Sequence, residues 1–215
     1  MNKKAVIFDM DGVLIDSEPL WQEAQIESLA QLGVEITEQE CERLTMGKRI
    51  DELARILCSE YALTIEASEL EERILSKLCT RIEHEGVAMS GVEEALAFFA
   101  QHDWKIALAT SSTHRVIQAV FDRLQFWDKF EFICSAEDEV HGKPHPDVYL
   151  TAVRKLNLEV SECLVIEDSF TGLTAAKRAG ITTYLVSAQC GDAQFSIADG
   201  RFAHLGDLLE ALQAA

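Results

Sequence analysis

The sequence has few basic residues and lacks the long apolar run that a membrane-spanning helix requires. Its 215 residues include 19 lysines and arginines against 37 aspartates and glutamates, which gives a formal net charge of −18. Phosphate backbones and anionic membranes bind to basic surfaces, so this balance predicts neither nucleic acid nor a membrane as a partner. No stretch approaches the roughly 20 apolar residues that cross a bilayer. The start of the chain also lacks an n-region, an h-region and a cleavage site, which predicts a cytoplasmic protein rather than a secreted one.

Two further patterns are missing. The six cysteines include no C-x-x-C pair, and the six histidines lack the spacing of a metal site. Most of the cysteines lie in apolar runs or helical patterns, so we expect reduced thiols that pack in the core. With 48% hydrophobic residues and no internal repeat or low-complexity linker, the chain can bury a sizeable core in one or two domains. We expect it to be a monomer.

The start of the chain carries its most informative pattern. Four apolar residues at positions 5–8 lead directly to Asp9, and Asp11 follows two residues later. Such a run predicts a strand buried on both faces, with Asp9 at its carboxyl end, where open α/β sheets bind ligands. Carboxylates crowded there repel each other unless a cation compensates their charge. The alternative is a strand that ends in an ordinary acidic turn, because Asp and Gly are common turn residues.

Three more apolar runs and a lysine complete the pattern. The three runs are Lys105–Ala109, Phe130–Cys134 and Cys163–Ile166. Thr110 and Ser111 follow the first of them, and Glu167 and Asp168 follow the last. Lys143 lies among prolines and histidines between the second run and the third. Taken singly, each has an ordinary explanation, since Lys143 fits a surface lysine, Thr110 a helix N-cap and Asp168 a solvated loop. Taken together, these explanations leave several carboxylates at buried strand ends without partners.

This order of motifs on strand ends resembles the haloacid dehalogenase-like superfamily, over the whole chain and with all four superfamily motifs. The resemblance implies an α/β fold with a doubly wound, Rossmann-like parallel sheet. The core is then formed by residues 1–16 and 86–215, and residues 17–85 form a helical C1-type cap inserted after the first strand. Helical periodicity in the cap, and alternation of helices with strands after residue 86, agree with this division.

The resemblance also implies the chemistry. Asp9 corresponds to a nucleophile that forms an aspartyl-phosphate, and Asp11 to the general acid and base. Lys143 corresponds to the lysine that neutralises the nucleophile and a phosphoryl oxygen, and Thr110 and Ser111 to groups that bind the phosphoryl oxygens.

A Mg²⁺ ion is implied as the cofactor. The corresponding ligands are the Asp9 carboxylate, the backbone carbonyl of Asp11 and the Asp168 carboxylate, with Glu167 acting through a metal-bound water. The six histidines take no part in this oxygen-ligand set.

Substrate choice is expected to come from the cap, because the core motifs bind only the phosphoryl group. Within the acidic cap, the segment Gly47-Lys48-Arg49 offers two cations to an anionic or polyhydroxylated substrate, although both also fit solvated cations at a helix end. The cap motifs, including a serine at Ser17, resemble the sugar-phosphate phosphatases, close to 2-deoxyglucose-6-phosphate phosphatases. They also resemble the β-phosphoglucomutases, which carry a histidine where this chain has Trp21.

The sequence thus predicts a Mg²⁺-dependent phosphatase of small phosphorylated metabolites, with hexose or pentose phosphates as the expected substrates. A β-phosphoglucomutase-like transferase and a non-catalytic protein that binds a phosphorylated metabolite are the alternatives. Asp11 argues against a haloacid dehalogenase, because that branch lacks this second aspartate. Phosphonatases form a Schiff base on a lysine of the cap, and Lys48 and Lys77 are cap lysines in this chain. A phosphonatase therefore stays formally open, but no motif supports it.

Overall fold

The computed structural model describes residues 3–45 and 48–214, apart from the side chains at positions 42 and 45. Its centre is a six-stranded sheet of order β3-β2-β1-β4-β5-β6, in which all neighbouring strands are parallel. The strands are β1 (Ala5–Phe8), β2 (Lys105–Thr110), β3 (Phe132–Ser135), β4 (Cys163–Glu167), β5 (Thr182–Val186) and β6 (Gly200–Phe202). This strand order is that of a doubly wound sheet, so the predicted α/β fold is confirmed.

Strand β1 is buried on both faces, as its continuous apolar run predicts. Val6 and Phe8 belong to one apolar cluster, whereas Ala5 and Ile7 belong to a second one, and all four are fully buried. Side chains alternate across a strand, so the two clusters lie on opposite faces of the sheet. Because β1 lies between β2 and β4, the residues that follow these three strands meet at one edge of the sheet.

Nine α-helices lie within the described ranges. They are α1 (Glu18–Ala30), α2 (Glu38–Thr45), α3 (Ile50–Glu60), α4 (Ala67–Glu85), α5 (Val92–Gln101), α6 (His114–Leu124), α7 (Asp147–Leu156), α8 (Phe170–Arg178) and α9 (Leu205–Gln213). None of the helices in this part of the chain is long and apolar enough to cross a membrane. All six cysteines are thiols rather than disulfides, and four of them are buried, as expected for thiols that pack in the core.

Helices α1 to α4 form one helical segment, residues 18–85, between β1 and the rest of the sheet. The chain enters and leaves this segment side by side, because Asp16 N–H donates to the Val87 carbonyl at 3.1 Å and Met89 N–H donates to the Leu14 carbonyl at 3.0 Å. Helix α4 packs against α1 and α3 within the segment and against α6 of the sheet region. The division into a core and a cap at residues 17 and 86 stays a prediction.

The start of α2 carries a capping box formed by Thr37 and Glu40. The Thr37 N–H donates to Glu40 Oε2 at 2.9 Å, and the Glu40 N–H donates to Thr37 Oγ1 at 3.3 Å. Two N–H groups at this helix end are therefore satisfied by side chains of the helix end itself.

A group of aromatic rings packs in the core, which gives a test of the fold. Phe99 is fully buried, and its ring centroid lies 5.8 Å from that of Phe8 and 5.1 Å from that of Trp104. We expect Phe99→Ala to lower the free energy of unfolding by about 3–5 kcal/mol, because it removes buried surface and leaves a cavity. Urea denaturation measures this loss. Phe98→Ala is the matched control, since Phe98 is only partly buried, and an equal loss in both variants would contradict the packing described here.

Candidate active site

The centre of the site is an ion pair between residues 134 positions apart in the chain. Lys143 Nζ donates to Asp9 Oδ1 at 2.8 Å. Asp9 follows β1 directly, and its N–H donates to the Ile166 carbonyl of the neighbouring strand at 3.0 Å. The Lys143 side chain is 4% exposed and that of Asp9 is 10% exposed, so this pair is largely shielded from water.

Lys143 is shared with a second carboxylate. Its Nζ also donates to Glu167 Oε1 at 2.8 Å and lies 4.8 Å from the centre of the Tyr149 ring. The Tyr149 hydroxyl donates to the same Glu167 oxygen at 2.6 Å. Glu167 Oε2 accepts from the N–H groups of Asp168 and Ser169 and from Ser169 Oγ, at 3.0–3.1 Å. Glu167 is therefore fixed from both of its oxygens and in turn fixes the lysine.

The cluster contains more carboxylates than positive charges, and the pKa values of its carboxyl groups are shifted accordingly. Burial raises the pKa of Asp9 to about 7, although attraction to Lys143 opposes that shift. Burial, together with repulsion by Glu167 and Asp9, holds the pKa of Asp168 well above its usual value. Burial would also raise the pKa of Glu167, but attraction to Lys143 and the hydrogen bonds from Lys143, Tyr149 and Ser169 together outweigh burial and lower that pKa. An additional positive charge, beyond that of Lys143, would therefore stabilise the ionised carboxylates of this cluster.

The residues also offer a set of ligands for a metal ion. Asp9, Glu167 and Asp168 each present a carboxylate oxygen, and these oxygens lie within 4.8 Å of one another. An all-oxygen set of carboxylates is the kind that hard divalent cations prefer. Because Glu167 already accepts hydrogen bonds at both oxygens, Asp9 and Asp168 are the better direct ligands. The Asp11 carbonyl as a ligand stays a prediction.

Asp11 is held by three donors from different parts of the chain. Ser112 Oγ donates to Oδ2 at 2.7 Å, and the Trp21 indole N–H donates to Oδ1 at 3.0 Å. Ser17 Oγ also donates to Oδ1 through a short hydrogen bond. These donors fix the carboxylate beside Asp9 and connect it to helix α1 through Trp21.

The hydroxyl residues after β2 line the same site. Thr110 is buried, and its Oγ1 accepts from the Ser112 N–H at 3.1 Å. Thr110, Ser111 and Ser112 all line the cavity above Asp9 and Asp11. The N-cap of α6 is Thr113, so the alternative explanation of Thr110 and Ser111 as its N-cap is wrong. Ser169 does cap α8, because its Oγ accepts from the Gly172 N–H at 3.0 Å.

The two cations expected to bind substrate differ in position. Lys48 lines the cavity and forms an ion pair with Glu52 at 3.1 Å. Arg49 instead donates to the backbone carbonyls of Ala136 and Glu139, at 3.0 and 3.2 Å, and so ties the helical segment to the loop after β3. It is not among the described residues that line the cavity. A direct role of either in substrate binding stays a prediction.

Gly47, which precedes these two cations in the sequence, lies outside the described residues.

The cavity itself lies between the sheet edge and the helical segment and has a volume of about 160 Å³. Its floor is formed by the catalytic candidates Asp9, Asp11, Lys143 and Asp168. Helix α1 contributes Glu18, Trp21, Gln22 and Gln25 to the other side, which also includes Leu53 of α3 and Lys48. The cavity is thus charged at the sheet edge and mostly neutral on the helical side.

Comparison with known proteins agrees with this geometry. The haloacid dehalogenase-like hydrolase family matches residues 6–186 of the chain. Hexitol phosphatase B of Escherichia coli (strain K12) is 33% identical over 207 residues, which cover 95% of this chain and 93% of that protein. The phosphorylated carbohydrates phosphatase of Thermotoga maritima is 36% identical over 187 residues, or 83% of this chain and 82% of the relative. The chain belongs to the haloacid dehalogenase-like hydrolase family.

A solved structure shares the fold of this chain. The crystal structure of CbbY from Rhodobacter sphaeroides in complex with phosphate superposes with a TM-score of 0.88 over 96% of both chains, at 22% identity. The family match confirms the predicted superfamily. The two phosphatase relatives show that this haloacid dehalogenase-like hydrolase is a phosphoric monoester hydrolase.

Three contributors to this hydrolase site are absent from the sequence-based prediction. Ser112 follows the two hydroxyl residues that the sequence does single out, and a third hydroxyl in the same run is the signal for it. Trp21 is noted only as a departure from the mutases, whereas the structure shows it bound to Asp11. Tyr149 lies within the apolar stripe of α7, where an aromatic residue gives no sign of its buried hydroxyl bond to Glu167.

A close approach of backbone to Glu167 provides a test of the site. A Cβ atom added to Gly172, in the first turn of α8, would lie 1.6 Å from Glu167 Oε1. We expect Gly172→Ala to displace this carboxylate, and with it Lys143, and to lower kcat for phosphate release by about a hundredfold. Steady-state kinetics measure the loss.

Gly206→Ala is the matched control, since Gly206 lies in the first turn of α9 and a Cβ there meets nothing within 4 Å. Full activity of Gly172→Ala would show that the position of Glu167 does not govern that of Lys143.

Proposed function

We propose that this chain is a Mg²⁺-dependent phosphatase of sugar or sugar-alcohol phosphates that acts through an aspartyl-phosphate on Asp9. The observation that carries the proposal is the pairing of two carboxylates over one cavity. Asp9 is held by a buried lysine, whereas Asp11 is held by three neutral donors. The two carboxylates therefore differ in environment, which is the usual basis for a division of labour between nucleophile and acid–base.

In the first step, a carboxylate oxygen of Asp9 attacks the phosphorus, and the bond from phosphorus to the ester oxygen breaks. Asp11 in its protonated form gives its proton to the departing oxygen, so that the alcohol leaves neutral. Lys143 stays bound to Asp9 and offsets negative charge that would otherwise oppose the approach of a phosphate ester. Thr110 and Ser111 offer a hydroxyl and N–H groups to the phosphoryl oxygens.

In the second step, a water molecule attacks the phosphorus of the aspartyl-phosphate. Asp11, now ionised, takes a proton from that water, and the bond from phosphorus to the Asp9 oxygen breaks. The products are inorganic phosphate and the regenerated Asp9 carboxylate. Mg²⁺, when held by Asp9 and Asp168, would offset charge on the phosphoryl group.

The substrate class is proposed from the relatives and from the cavity. The two phosphatases described above are named for hexitols and phosphorylated carbohydrates. In this chain, the side of the cavity formed by α1 offers glutamine and indole groups, which suit hydroxylated carbon chains. A cytoplasmic location and a monomeric state stay predictions.

A panel of phosphate esters tests this proposal. We expect the wild-type protein with Mg²⁺ to release inorganic phosphate from hexose, pentose and hexitol phosphates, and EDTA to abolish the release. Asp9→Asn, which keeps the shape but cannot attack, should lower kcat by about a thousandfold or more. Asp16→Asn is the matched control, because Asp16 is an exposed aspartate outside the cavity lining.

Two outcomes would overturn the proposal. Rapid interconversion of β-glucose 1-phosphate and glucose 6-phosphate with negligible phosphate release would make the chain a mutase. Binding of these esters without turnover would make it a non-catalytic binding protein. Trp21 favours the phosphatase, because this chain has no histidine at the place where the mutases carry one.

A further inference from the structure

Gln25 is a buried polar side chain whose amide oxygen has no hydrogen-bond partner within the described part of the protein. It lies in the middle of α1 and is 2% exposed. Among the described residues, no donor reaches its Oε1. Leaving such a group buried and unpaired costs about 1–3 kcal/mol, and folded proteins pair the large majority of these groups. The Gln25 amide oxygen therefore needs a hydrogen-bond donor that the described part of the chain does not provide.

The position of Gln25 shows where that partner would lie. Gln25 lines the cavity that also contains Asp9 and Asp11. On α1 it follows Trp21 by four residues, and side chains four apart on a helix lie on the same face. Trp21 donates to Asp11 at 3.0 Å, so the part of this helix face at Trp21 lies next to the proposed phosphoryl site. Gln25 lies one turn farther, about 6 Å along the helix axis.

The chemistry of the group defines what it would bind. A primary amide is neutral and presents one acceptor oxygen and one donor nitrogen, and a hydroxyl pairs with either of them. Glu18 lines the same helical side, and its carboxylate disfavours a second anionic group there. Lys48 also lines the cavity, but its ammonium group is already paired with Glu52 at 3.1 Å. A hydroxyl on the carbon chain of a phosphate ester fits this environment better than a second phosphate does.

We propose that Gln25 binds a hydroxyl group of the substrate and thereby selects polyhydroxylated phosphate esters over esters that lack this hydroxyl. The inference rests on the proposed phosphatase function and adds a specificity-determining residue to it. It assigns recognition of the carbon chain to a neutral group of α1, rather than to Lys48 and Arg49 alone. A site built to pair a substrate hydroxyl rejects the deoxy analogue strongly, because the buried amide then stays unpaired.

The test compares two variants with the wild type on three kinds of substrate. Gln25→Met replaces the amide by an apolar group of similar size, and Gln31→Met makes the same change at the exposed end of α1. The substrates are the best sugar or hexitol phosphate, its series of monodeoxy analogues, and para-nitrophenyl phosphate. Gln25→Ala is measured alongside, in case Gln25→Met does not fold, and thermal unfolding verifies that each variant is folded.

We expect the wild type to discriminate against one deoxy analogue by about tenfold or more in kcat/KM. Gln25→Met should lose a similar factor on the full substrate, keep its activity on that deoxy analogue, and so lose the discrimination. Its activity on para-nitrophenyl phosphate should stay within about threefold of the wild type. Gln31→Met should match the wild type on all substrates.

Three results would overturn the inference while leaving the phosphatase function intact. They are a wild type that accepts every deoxy analogue equally, a Gln25→Met variant with unchanged discrimination, and an equal loss on all substrates including para-nitrophenyl phosphate. A wild type that releases phosphate from none of these esters would overturn the proposed function itself, and the inference with it.

Discussion

The structure depends on one buried ammonium group shared by two carboxylates. Lys143 donates to Asp9 and to Glu167 at 2.8 Å each, and its side chain is 4% exposed. A single positive charge cannot offset these two carboxylates together with Asp168, which lies in the same cluster. The raised pKa values of Asp9 and Asp168 express this deficit, and the proposed cation would remove it. Charge imbalance thus makes the site ready for a metal and an anionic ester, at some cost in stability.

The parallel sheet brings these groups together. Asp9 follows β1, Glu167 ends β4, and Lys143 reaches the same edge from the loop before α7. Helix α1 then adds the other half of the site, because Trp21 binds Asp11 while Gln25 faces the same cavity. In the proposed function, the residues at the sheet edge carry out the phosphoryl chemistry, and the residues of the helical side select the substrate.

Much of this could be predicted from the sequence, because strand ends in a parallel sheet carry strong local signals. The four apolar runs are four of the six strands, and the residues that follow three of them do line the site. Strands β5 and β6 were not predicted individually: β5 contains two threonines, and β6 has only three residues. The roles of Trp21 and Gln25 depend on how α1 packs over the sheet, which periodicity does not specify. Arg49 likewise donates to two backbone carbonyls, and because every residue has a backbone carbonyl, the sequence does not indicate such a partner.

The effect of Mg²⁺ on thermal unfolding at two pH values tests the charge deficit most directly. Burial raises the pKa of Asp9 to about 7 in the folded chain, above its unfolded value, so the stability contributed by its bound proton is lost as the pH rises through about 7. The proposed Mg²⁺ would bind the ionised form, so we expect Mg²⁺ to raise the melting temperature clearly at about pH 8 and little at about pH 5.5. Asp168→Asn should weaken the shift at the higher pH. No shift at the higher pH, or an equal shift at both, would contradict the account.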